Sequence, residues 1–193
     1  MKNKNNNNNF QLTMSEEEIF ETFHYNQKYL IDNQIPEDVL RWALQRANEY
    51  LVADDEIFVQ YPEYPDYFCS NYGRCISLKA KGREPKFLQP LTLTNKYAGY
   101  TFCRPKEKQL SINMSRMVAD VFCPNFYEGQ ARGMLQAHHI DHNRTNNSWE
   151  NIVLLPEKMH HEVHRCDKKY GVPDRLELCV SPVALEENKS NDN

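Results

Sequence analysis

A chain of 193 residues, 40% of them apolar, can bury one good core, which excludes a wholly disordered protein. No apolar run approaches the ~18 residues of a membrane span and the Asn-rich start has no apolar signal core, so a cytoplasmic protein with no membrane partner is expected. The net charge of −4 is unevenly spread: residues 1–55 carry 5 Lys/Arg against 10 Asp/Glu, residues 56–170 carry 16 against 12, and residues 171–193 carry 2 against 5. A basic middle between acidic flanks is compatible with DNA as a partner, because local charge governs such contacts.

Residues 1–13 read as a disordered Asn-rich leader. Residues 14–54 read as a helical hairpin. Its first helix, about 15–30, opens on the capping box Ser15–Glu18. Its second opens on Pro36-Glu37-Asp38 and runs to about Val52, with Val39, Leu40, Ala43, Leu44, Ala47 and Leu51 as an apolar stripe. From Ile57 the texture changes to short strands and turns, and residues 55–110 form a small β-rich unit. Asn71-Tyr72-Gly73 is a turn between two β-rich runs. A basic tract of Lys79, Lys81, Arg83 and Lys86 follows, then Lys96, Arg104, Lys106 and Lys108 among Tyr97, Tyr100 and Phe102. Such clusters suit phosphate contacts. A helix is expected over 113–122, with Met114, Met117, Val118, Val121 and Phe122 on its apolar side. The six cysteines show no CxxC pair, so reduced thiols are expected. Residues 171–193 form an acidic tail.

Six of the seven histidines lie between positions 138 and 164. His138 and His139 are adjacent on a short strand. Asn-rich loop residues follow, then the buried-strand run Ile152-Val153-Leu154-Leu155, then a helix bearing His160 and His164. Positions i and i+4 project from one helix face, a spacing at which two imidazoles can bind one ion. Neighbours on a strand point to opposite sides, so His138 and His139 are not expected to serve the same ion.

This segment resembles the ββα-metal finger of the HNH endonucleases. His138-His139, Asn151, His160 and His164 fill the family's positions, and the wording around the loop is similar to phage and homing-type members. His142 stands where those members usually carry Gly, at a turn expected to have positive φ. Upstream, Tyr67, Ser70, Asn71, Gly73, Arg74 and Ser77 resemble the NUMOD-type DNA-recognition module, with Ile57-Phe58 in place of its usual Trp. Together with the N-terminal helical hairpin read above, the resemblance implies an α+β protein: a small β-rich module, and over 111–170 a linker helix plus a C-terminal ββα-metal finger.

It also implies the chemistry. His138, His160 and His164 would be ligands of one divalent metal ion, Mg²⁺ or Mn²⁺, with Zn²⁺ also suited to three imidazoles. His139 would be the general base, and Asn151 would brace the loop or orient His139. Arg74, Lys79, Lys81, Arg83, Lys86 and Arg144 would contact double-stranded DNA. His142 and His161 fall outside the ligand set. The oligomeric state is not specified. The rival reading is a catalytically silent DNA-binding or regulatory protein whose finger is a structural metal module. It is disfavoured because a structural site has no need of His139 beside His138.

Overall fold

The computed structural model describes residues 28, 30–79, 84–93, 96–103, 109–127 and 129–171. The architecture is α+β, as expected. Of the helical hairpin, the first helix lies mostly outside the described residues. The second, α1, spans Glu37–Ala47, with Glu37 and Asp38 in its first turn and Arg46 in its last, charges that suit the two ends of the helix dipole. It stops five residues short of the expected end at Val52. Asn48 takes the left-handed conformation at φ 53°, and the chain turns so that Glu49 N donates to Leu44 O. Leu51 is therefore not part of the buried stripe.

Four antiparallel strands follow in chain order: β1 (Phe58–Tyr61), β2 (Tyr64–Ser70), β3 (Cys75–Ser77) and β4 (Lys86–Phe87). Val59, Cys69 and Cys75 are in register, as are Phe68, Ile76 and Phe87. Alternation along each strand sends the two sets to opposite faces. Phe58, Phe68, Ile76 and Phe87 pack under α1 with Ile35, Leu40 and Ala43. Val59, Cys69 and Cys75 face the main core.

A second antiparallel sheet holds β5 (Leu91–Thr92), β6 (Ala98–Phe102) and β7 (Leu110–Asn113). Helix α2, Met114–Phe122, leaves β7 directly, within a residue of its expected span. It buries Met117, Val118, Ala119 and Phe122. The finger comprises hairpin β8 (Gln136–His139) and β9 (Ile152–Leu155) and helix α3 (Glu157–Tyr170). Phe102 of β6, Met117, Val118 and Phe122 of α2 and Ile152, Leu154 and Leu155 of β9 all belong to one buried cluster. The β-rich region and the finger thus share a core, and α2 runs through it.

The turn after β2 is the joint between them. Ser70 Oγ accepts from Tyr72 N and Arg74 N. The Asn71 side chain accepts from Ile57 N and donates to Asp55 O, while its backbone carbonyl accepts from Trp149 N at 2.8 Å. Gly73 sits at φ 87°, and a Cβ there would lie 3.0 Å from Asn147 Cβ. Only Gly meets both demands cheaply. The motif read as a DNA-recognition turn is packed against the finger's own loop.

Candidate active site

Strand β8 delivers its two histidines to opposite sides, as a pleat must. His138, 2% exposed, faces α3, where His160 and His164 stand one turn apart. The three rings are mutual neighbours, with centroids 5.1, 4.8 and 4.6 Å apart. Their ligand atoms all lie within 4.8 Å of one another. His160 Nε2 and His164 Nε2 are 3.2 Å apart. Tetrahedral bonds of about 2.0–2.1 Å to one ion would set its ligands roughly 3.3–3.4 Å apart. His138 Nε2 is buried without a hydrogen-bond partner, an expensive condition unless a ligand meets it.

The electrostatics point the same way. Burial, reinforced by the imidazoles of His160, His164 and His142, pulls His138 down to about 3. Burial, then His164, pulls His160 down to about 4. His164 is lowered as well, first by burial and then by His142. At neutral pH these rings are uncharged, which metal ligation requires. The residues present therefore fit a divalent ion.

His139, 6% exposed, lies on the other side. Its Nε2 is 3.1 Å from Asn147 Oδ1, and the Asn147 amide is oriented by Nδ2 donating to Thr145 O at 3.3 Å. An amide oxygen can only accept, so Nε2 carries the proton and Nδ1 holds the lone pair. Tyr97, from the β5–β6 connection, stacks on the imidazole at a 15° interplanar angle, and the Arg144 guanidinium lies 4.8 Å from the Tyr97 ring centre. Burial lowers His139 too, against the opposing hydrogen bond to Asn147.

Asn151 is 9% exposed and braces the loop. Its Oδ1 accepts from Asp141 N, and its Nδ2 donates to Asp141 Oδ1 and Asn146 O. Of the two tasks the sequence left open to it, bracing is the one its bonds serve; the amide beside His139 belongs to Asn147. Burial would raise Asp141, but hydrogen bonds from Asn146, Asn151 and Asn143 N outweigh it and hold the carboxylate low.

Two residues outside the expected set join the cluster. His142 has φ 57°, the positive value expected at that turn. Its ring is 4.7 Å from His164 and 5.4 Å from His138, and its Nε2 is 2.8 Å from Asp167 Oδ2. Asp167 was missed, yet it stands seven residues after His160, on the stripe that carries His160 and His164. His161 points away, its side chain 73% exposed.

Of the expected DNA contacts, Arg74, Lys79, Lys86 and Arg144 lie among the described residues. Lys86 is exposed on β4 and Arg144 on the finger loop. The Lys79 ammonium donates to Cys103 O. Lys81 and Arg83 lie outside the described residues. Arg74, expected to contact DNA, is held by groups of the protein itself. Its guanidinium is 2.7 Å from both Glu49 and Glu56 and donates to Tyr50 O, with a side chain 19% exposed. Its Nε, Nη1 and Nη2 all donate inside the protein, tying the β3 start to the segment after α1.

Residues 130–162 match the model of an HNH endonuclease family. Over 109 residues, 54% of this chain, the sequence is 33% identical to the H-N-H endonuclease F-TflII of Escherichia phage T5. The chain spans half the length of that relative. Among solved structures, that of the HNH homing endonuclease I-HmuI, which concerns DNA binding and cleavage, is similar over 60% of each chain, with 22% identity and a TM-score of 0.46.

Proposed function

We propose that this protein is a metal-dependent endonuclease that hydrolyses phosphodiester bonds in double-stranded DNA. The observation that carries the reading is the division of labour on β8: His138 joins a three-imidazole cluster, while His139 is locked by Asn147 on the opposite side. A purely structural metal site leaves the second arrangement without purpose. The match of residues 130–162 to an HNH endonuclease family supports it.

His138, His160 and His164 would hold one divalent ion, which when bound supplies charge neutralisation at the scissile phosphate and the leaving 3′ oxygen. His139 Nδ1 takes a proton from the attacking water, Nε2–H staying on Asn147. Asn151 and Asp141 keep the loop between the strands fixed, so that His139 is not displaced as DNA arrives. Arg144, steered by Tyr97, offers a cation to a phosphate next to the base. Lys79, Lys81, Arg83 and Lys86 would supply sequence-independent phosphate contacts. Arg74 has no part in DNA binding in this reading. Incubation of purified protein with supercoiled plasmid and Mg²⁺, Mn²⁺ or Zn²⁺ tests it: nicking that disappears with chelator supports the proposal, and intact plasmid with every metal overturns it.

A further inference from the structure

The His142–Asp167 pair is not used by the three-imidazole site. The ligand atoms of His138, His142 and Asp167 nevertheless lie within 4.8 Å of one another, a second constellation that shares His138 with the first. The Asp167 side chain is only 6% exposed, and the partner it faces is His142 Nε2 at 2.8 Å. His142 holds a left-handed backbone conformation that is unfavourable for a non-glycine residue. Glycine would adopt it freely. The strain places an imidazole between a buried carboxylate and the other rings.

We propose that His138, His142 and Asp167 form a second seat for a divalent ion, next to the three-imidazole seat and exclusive with it because both require His138. The two seats differ in hardness. Three imidazoles favour Zn²⁺, whereas a carboxylate with two imidazoles accepts Mn²⁺ more readily. Asp167 thereby sets which metal the centre retains. The inference rests on the reading of His138 as a metal ligand.

The test measures Mn²⁺ and Zn²⁺ binding calorimetrically, with Mn²⁺ electron paramagnetic resonance reporting the bound ion directly. Asp167→Asn keeps the shape of the pair, and His142→Gly suits the backbone at that position. Both should weaken Mn²⁺ about tenfold or more while changing Zn²⁺ far less. The ratio of the two metals within one variant guards against a general loss of folding. In His160→Ala, which cripples the first seat, Mn²⁺ should still bind and should be lost when Asp167→Asn is added. Equal Mn²⁺ affinity in wild type, His142→Gly and Asp167→Asn would overturn the second seat and leave the pair a tether between loop and helix. So would a His160→Ala variant that binds no Mn²⁺. Plasmid nicking in the same preparations separates the two readings: metal-dependent nicking with no role for Asp167 removes the second seat alone, whereas no metal binding and no nicking in wild type removes both.

Discussion

His138 and His160 carry the clearest residue-level consequence. In an unfolded chain each titrates near 6.5. Folded, they titrate at about 3 and about 4, first because they are buried. Between those values the unfolded chain binds more protons than the folded one, so stability rises with pH there. Metal-free protein should therefore be fully stable above pH ~6.5 and lose melting temperature steadily as pH falls toward ~4. Scanning calorimetry with chelator checks this, and a melting temperature that rises on acidification from neutrality would contradict it. Arg74 offers a second test. Arg74→Ala leaves Glu56, whose side chain is fully buried, without its cation. A loss of about 3 kcal/mol is expected in denaturant unfolding. A variant as stable as wild type would return Arg74 to the candidates for DNA contact. Spacing could suggest that Arg74 was basic and at a turn. It could not show that Glu49 and Glu56 would converge on it, because that convergence is made by the bend after α1.

At the scale of elements, the legible parts were those with a local cause. The start of α1 follows from Pro36 and two acids, α2 from its apolar stripe, and the finger from strand alternation and the i, i+4 pair. What stayed hidden depends on contacts distant in sequence: the early end of α1 at Asn48, the docking of turn 71–73 on the finger, and the reach of His142 across 25 residues to Asp167. Gly99 shows how tightly β6 and β7 are joined. A Cβ there would lie 2.3 Å from Ile112 O. Gly99→Ala should cost about 1–3 kcal/mol through forced backbone displacement. Gly133, where a Cβ would meet nothing within 4 Å, is the control and should be nearly neutral. Equal stabilities for the two variants in urea unfolding would contradict this packing.

For the whole molecule, the acidic total conceals a basic middle, and the β-rich region is joined to the finger by one core. Lys79, Lys81, Arg83 and Lys86 replaced together by Ala should weaken DNA binding for all sequences and lower the salt slope by ~3–4, at ~0.9 for each phosphate contact. An unchanged slope would remove this tract from the interface.

In the proposed site β8 carries a ligand and a base back to back, and paired alanine variants separate the two roles. Metal titration and plasmid nicking are measured on His138→Ala and His139→Ala side by side. His138→Ala should lose metal affinity and the stability the ion confers. His139→Ala should bind metal and DNA as before but nick ~10²–10⁴-fold more slowly. Loss of the metal in His139→Ala, with its retention in His138→Ala, would contradict the assignment and exchange the two roles.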